Sequence, residues 1–485
     1  MTRTNLLMRT FAAVLLASLM AGAADSLSTT KAPESVWAGR AKADIESAFA
    51  ATFANHPGTY DAANPDFKIL LQTARQRSLI LARQAQDAAG YRAALERFSS
   101  ILGDGHAGIN IRLTPEQLPA NRWPGFVAVW RGEGLYVYRS TDAKLTPGTE
   151  VIGCDGRSVH ALVLSNVFAF RGQPTQPGQW WTRARSLFID RGNPFATLPQ
   201  QCQIRRAGQI LSIRLDWRAT DPTFEKWRDE SYNGDVRPVG ISTPSEGVTW
   251  IAMPTFEPDE KQRATYRAMT SSIERDRASY LKARAIVIDL RGNEGGSSDW
   301  SLQLAKALWG ATVVDAKIRA RDEKTSTWWR ASAENTAYFS QIVGQLRGEG
   351  QNNVANEVEK IAAGMTSAQQ SGEKFFVEPA SLSQDFGANR PGMSDQVTPL
   401  TAPIYVIVPG QCASACLDAV DVFKLFPAVK LVGAPSSADS AYLEVRTKML
   451  PSGFAEVIIP NKMYVGRARP NGGFYRPDLA LADPD

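Results

Sequence analysis

The sequence predicts an α/β protein: a core of strand–helix crossovers preceded by a helical region and a small β-module. Three observations carry this. Two continuous apolar runs, Ala285 to Leu290 and Ile404 to Val408, each lead into a glycine-bearing turn and then a helical pattern, as buried parallel strands do. Ala41 to Ala54 and Phe67 to Leu102 space their apolar residues three and four apart, the period of an amphipathic helix. Between residues 123 and 218, short β-like runs are separated by Gly and Pro turns, as in a β-module.

Taken in order, residues 1–24 read as an export signal. Arg3 and Arg9 precede an apolar stretch from Phe11 to Met20, and Ala21-Gly22-Ala23 offers a small-residue cleavage site. That stretch is short of the roughly 20 residues a span needs, so cleavage leaves no stable membrane anchor. The expected location is outside the cytoplasm, periplasmic or extracellular. The helical domain, residues 25–113, breaks at Pro57 and Pro65 and ends in Gly103-Asp104-Gly105-His106-Ala107-Gly108.

The β-module, residues 114–222, places strands at Phe126 to Val129, Leu135 to Tyr138, Glu150 to Ile152 and Ile210 to Leu215. Within it, Leu145 to Val159 sets a Pro-Gly turn before one strand and an Asp-Gly turn before the next. The phrase resembles the carboxylate-binding-loop half of a PDZ domain, which takes a peptide as an added strand. A generic small β-domain fits the same pattern.

The core, residues 223–485, reads as strand Val248 to Met253, helix Glu257 to Ala278, strand Ala285 to Leu290 and helix Trp300 to Trp309. Strand Ile404 to Val408, a helix from near Ser414 and strand Val429 to Val432 follow. Crossovers of this kind gather functional groups at the carboxyl ends of the strands. A polar, helical insertion at about 321–400, carrying Trp328-Trp329-Arg330, is too long for a plain connection.

Composition narrows the function classes. Apolar residues at 44% and charged residues at 21% exclude a mainly disordered, collagen-like or coiled-coil chain. The formal net charge is +5, and removing residues 1–23 takes away Arg3 and Arg9 and leaves +3. A charge so small over this length is no nucleic-acid footprint. Four cysteines suit an oxidising compartment: Cys154 and Cys202 fall in one segment, and Cys412 and Cys416 bracket a serine. The latter pair reads either as a disulfide holding that turn or as buried thiols. A structural metal site needs about four ligands, and none of His56, His106 and His160 is near Cys412 and Cys416 in sequence, so no metal is expected.

Two segments carry chemistry. Ser414, in Gln411-Cys412-Ala413-Ser414-Ala415-Cys416, follows a strand and starts a helix, where amides and dipole favour negative charge. It reads either as a nucleophile or as a helix N-cap. Gly292-Asn293-Glu294-Gly295-Gly296 follows the other buried strand, as a tight turn or a close approach to a ligand. It lacks the Lys-Ser/Thr of a phosphate loop. His56 and His160 have no such context and read as surface or loop residues.

Ala285 to Gly296 closely resembles the glycine-rich signature of S41 peptidases, the C-terminal processing and tricorn-like serine proteases. Ile404 to Leu417 is similar to their nucleophile segment, Val429 to Gly433 to the strand after it, and Leu102 to Gly108 to their Asp-x-His motif. The four occur in the family's order across residues 36–480. The resemblance implies a ClpP/crotonase-like sheet, with Ser414 as nucleophile. Its oxyanion hole would be the Ala415 N–H and an amide of the Gly295-Gly296 pair.

Processing peptidases pair the serine with a lysine at a set distance further along the chain. Here that position is Asp439, and Lys424, Lys430, Lys448 and Lys462 are out of register. A carboxylate with an ordinary pKa near 4 is too weak a base to replace it. The tricorn-like branch instead implies His106 as general base, with Gly105 where that branch has a serine. An imidazole pKa near 6.5 suits the task. Asp439 is the foremost candidate for third member, with Glu444, Asp104 and Asp478 as alternatives. The expected function is peptide hydrolysis through an acyl-enzyme, with no cofactor, on a peptide or protein substrate held by its C-terminus if the β-module binds one. A catalytically inactive binding protein and an esterase on the same serine are the alternatives.

Overall fold

The computed structural model describes residues 35–233, 236–379 and 398–480, so the export-signal reading of residues 1–24 lies outside the described residues. Among these residues, no helix is long and apolar enough to cross a membrane.

The core is a six-stranded sheet whose spatial order follows chain order: Gly240–Ser245, Val248–Ala252, Ala285–Asp289, Ile404–Val408, Val429–Gly433 and Leu479–Ala480. The first two strands form an antiparallel hairpin and every later pairing is parallel. Ile288 aligns with Val406 and Val406 with Leu431, all buried, which is why these strands read as largely apolar runs, broken only by Asp289 and Lys430. Helices Glu260–Arg275, Asp299–Trp309 and Ala415–Phe423 supply the crossovers, and Tyr266, Leu304 and Val420 are fully buried among them. The glycine turn and Ser414 thus sit at the carboxyl ends of adjacent strands.

A second sheet joins distant parts of the chain. Its longest strand, Ala455–Val465, pairs antiparallel with Gly108–Ile111, with Tyr442–Met449 and with Ser326–Arg330. Ser326–Arg330 also pairs with Phe375–Val377. The insertion is therefore not wholly helical: its two strands extend this sheet, and helices Ala333–Gly348 and Asn352–Gln370 pack on them around Trp329 and Met365.

The N-terminal region is three helices, Val36–Asn55, Phe67–Ala82 and Ala88–Leu102; the apolar pattern from Phe67 to Leu102 is broken around residues 83–87. Ser35 and Asp87 cap the first and third through their side chains, and Gly103 ends the third in a left-handed turn. Their apolar faces close on Val457 and Ile459 of the long strand. This contact fixes the segment Gly103–Gly108, which links the third helix to its strand.

Residues 126–214 form an antiparallel sheet of five main strands, Phe126–Arg131, Gly134–Ser140, Glu150–Cys154, Gln201–Arg206 and Gln209–Arg214. The Cys154–Cys202 disulfide joins two neighbouring strands of it. The helix Pro177–Arg183 carries this module against the core. A Cβ on Gly178 would come within 2.3 Å of the Ser436 carbonyl and 2.6 Å of the Gly410 carbonyl, so the approach requires glycine.

Candidate active site

Ser414 occupies the N-cap position of helix Ala415–Phe423 without acting as a cap. Its side chain makes no capping hydrogen bond, and its backbone lies at φ 53°, ψ −129° rather than in the extended region an N-cap adopts. A non-glycine residue held there costs on the order of 1–3 kcal/mol and persists only where its surroundings fix it. Those surroundings are visible. The Cys412–Cys416 disulfide spans the turn with both residues fully buried, and the Leu417 N–H donates to the Ser414 carbonyl at 2.9 Å. A sharp strand-to-helix turn of this kind exposes its side chain above a sheet edge.

The glycine turn lies against this serine. A Cβ on Gly295, at φ 117°, would reach within 2.8 Å of the Ser414 Cβ and 3.4 Å of the Ala415 nitrogen. The Gly295 N–H donates to Asn293 Oδ1 at 2.9 Å, and Asn293, fully buried, donates in turn to the Met253 carbonyl. That leaves the Gly296 and Ala415 N–H groups, neither of which has an acceptor among the described residues. The two amides can receive a developing oxyanion.

His106 is half-buried, and its Nδ1 is buried with no hydrogen-bond partner among the described residues. Its backbone is pinned: the His106 N–H donates to Asp104 Oδ1 at 2.8 Å, and Ser440 Oγ donates to the same oxygen at 2.7 Å. His56 Nδ1 accepts the Gly58 N–H, so its Nε2 carries the proton that reaches Asp104 Oδ2 at 3.2 Å. Burial would raise the Asp104 carboxyl, but the hydrogen bond and charge of His56, with the donors His106 and Ser440, hold it below the usual range. His56 lies in the connection between helices, as a loop residue would, but is not on the surface: it is 0% exposed and stacks on Phe67 at 4.3 Å. His160 is exposed and stacks on Trp180 at 4.5 Å.

Asp439 neighbours both His106 and Ser414. Burial raises its carboxyl above the ordinary range, against the opposing pull of His106, Arg469 and the Ser414 backbone N–H. Its Oδ2 has no hydrogen-bond donor among the described residues; Arg469 Nη1 stands 3.6 Å away. Two buried, unsatisfied polar atoms, one on an imidazole and one on a carboxylate, therefore occur in one site. Such exceptions call for a reason.

The other acids and the lysines have other partners. Asp104 holds the His106 backbone rather than its ring. Glu444 pairs with Lys462 at 3.4 Å, and Asp478 accepts the Leu431 N–H at 2.7 Å and lies 3.6 Å from Lys424. Lys448 pairs with Glu334 at 2.8 Å.

Sequence reasoning missed Arg469 and its network. Its Nε reaches Asp421 at 3.1 Å and its Nη2 reaches Asp418 at 2.9 Å, both on the helix that follows Ser414. The signal was present: Asp418 and Asp421 are three apart on one helix face, and Arg467 and Arg469 lie two apart just after the strand Ala455–Val465.

Residues 247–458 match the family model described as peptidase family S41. A comparison with curated proteins finds no match. The fold is similar to that of mature CPAF complexed with lactacystin, at 14% identity over 92% of this chain and 94% of that one, with a TM-score of 0.60. A second structure of mature CPAF gives 13% identity over 92% and 93%, with a TM-score of 0.61. A serine-to-alanine mutant of CPAF gives 13% identity over 92% and 93%, with a TM-score of 0.58. At these identities the likeness speaks for the fold.

Proposed function

We propose a reaction for this site from the premise that residues 247–458 belong to peptidase family S41, which makes the chain a serine-type peptidase, a hydrolase. The observation that carries the proposal is the strained, uncapped backbone of Ser414 at the meeting point of two sheet-edge turns.

In this reading Ser414 Oγ attacks the carbonyl carbon of a peptide bond while His106 takes the hydroxyl proton. The carbonyl oxygen gains negative charge facing the Ala415 and Gly296 N–H groups, each donor lowering the barrier by about 3 kcal/mol. His106 then gives its proton to the leaving amine, and an acyl-enzyme remains on Ser414. Water, deprotonated by the same imidazole, attacks the ester and frees the serine. Asp439 steadies the imidazolium, and Arg469 holds Asp439 against the nucleophile helix. The displaced Lys424, Lys448 and Lys462 support a histidine rather than a lysine base. The export-signal pattern supports a periplasmic or extracellular location. If the β-module is PDZ-like, it presents a substrate C-terminus to the site.

The test is turnover of matched peptide and ester substrates by the chain starting at Ala24, with Ser414→Ala beside it. The proposal expects peptide cleavage that Ser414→Ala loses. Ester turnover without peptide cleavage at any length would replace the peptidase by an esterase.

A further inference from the structure

Beside the site, a cleft of about 460 Å³ opens between the third N-terminal helix and the β-module. Four arginines line it: Arg92 from that helix, and Arg171, Arg183 and Arg191 from the module. Four guanidinium groups around one cleft repel each other and persist together only where something offsets the repulsion. Glu96 answers Arg191 at 2.9 Å, and the other acid in the lining, Asp104, is committed to His56 and Ser440. Arg92 is 5% exposed and donates to the Arg191 carbonyl, yet its Nε is buried without a partner, as is the Nε of Arg183.

Arg171 is the strongest case. Among the described residues, no hydrogen bond or ion pair reaches its guanidinium. Burial, then the charges of Arg191, Arg183 and Arg92 with only Glu96 opposing, pushes it down to about 10. Glu96, the one charge that favours this cation, is itself paired with Arg191.

The cleft is continuous with the proposed active site. Gly105 and Ala438, the neighbours of His106 and Asp439, line the same space, and the Ala438 N–H donates to Gln176 Oε1 at 3.2 Å. It is separate from the Leu145–Val159 segment, no residue of which lines it.

We propose that this cleft is a substrate subsite for a carboxylate, which positions an acidic peptide for cleavage at Ser414. It rests on the peptidase reading above. The planar arginine fork matches a carboxylate in two parallel hydrogen bonds, and the occupant adds negative charge to a lining in which Glu96 is the one acid that pairs with an arginine. The carboxylate is either the chain end or a Glu or Asp side chain.

The test compares peptides that differ in one group: a free C-terminus against its amide, and an internal Glu against Gln in the amidated series. Kinetics use the chain starting at Ala24. The same peptides, fluorescently labelled, are titrated onto Ser414→Ala to read affinity without chemistry. The expected result is a preference of at least about tenfold for one carboxylate-bearing peptide, in KM and in Kd, as a charged hydrogen bond implies. In Arg171→Met and in Arg183→Met that preference falls to within about twofold, whereas Arg347→Met, at an exposed pair with Glu359, keeps it. Thermal unfolding shows that the arginine variants are folded, and Arg171→Met is expected to melt no lower than the parent. Equal Kd for acidic and neutral peptides, or a preference that survives both variants, overturns the subsite. Tight, Arg171-dependent binding with no cleavage upholds the subsite and overturns the peptidase reading instead.

Discussion

Ser414, Gly295 and Asp439 set the terms at the scale of single residues. Gly295 has no room for a side chain: alanine there drives its Cβ into the Ser414 Cβ at a backbone angle alanine resists. Gly295→Ala is expected to cost about 1–3 kcal/mol of stability and to slow kcat about a hundredfold through a displaced serine. Steady-state kinetics with a denaturant titration would check both, and unchanged kcat would contradict the geometry. Asp439 makes the opposite trade. Its carboxyl binds a proton more tightly in the folded chain than in the unfolded one, so its effect on stability turns unfavourable as pH rises from about 4 through the folded pKa, and stays so at neutrality. Asp439→Asn should therefore melt no lower than wild type at pH 7, with the gap closing as pH falls below about 4. Its kcat should drop roughly 10²- to 10⁴-fold, since an uncharged amide cannot steady the imidazolium. A variant that melts lower at pH 7 and keeps its kcat would make Asp439 structural.

Between elements, the decisive contacts join pieces far apart in the chain. The strand Gly108–Ile111 carries the His106 segment into a sheet whose long strand is Ala455–Val465, while Ser440 and Asp104 tie the segment after the nucleophile helix to the same place. The β-module depends on its own staple. Cys154–Cys202 closes a separation of 48 residues across two adjacent strands. Its loss should cost about 4 kcal/mol by loop-closure entropy. Thermal unfolding of Cys154→Ser with Cys202→Ser is expected to show that loss; an unchanged melt would mean that strand pairing alone holds the sheet. The crossover strands and the helices flanking them were legible because a buried parallel strand is a continuous apolar run and needs no distant partner to be recognised. The strands Ser326–Arg330 and Phe375–Val377 were not. Each is short and mixed in character, and becomes a strand by pairing within a sheet centred on Ala455–Val465, near the other end of the chain. Such pairing overrides local pattern.

For the whole molecule, the same division decides what the sequence revealed of the site. Ser414, the glycine turn and the His106 segment were readable because each lies in a short local motif at a strand or helix end. Asp439 was readable from its register after the serine. The burial of His56 was not legible because its partner Asp104 is 48 residues away. Arg469 and the cleft arginines escaped for the same reason: their charges gain meaning only where separate segments converge. In the reading proposed above, this convergence makes a histidine-assisted serine nucleophile. Fluorophosphonate labelling of the wild type, Ser414→Ala and His106→Ala, mapped to its residue by mass spectrometry, is the decisive experiment. The expected result is a single adduct on Ser414, none in Ser414→Ala, and labelling slowed at least about a hundredfold in His106→Ala. A folded wild type that never labels, or a His106→Ala that labels at the wild-type rate, would contradict it.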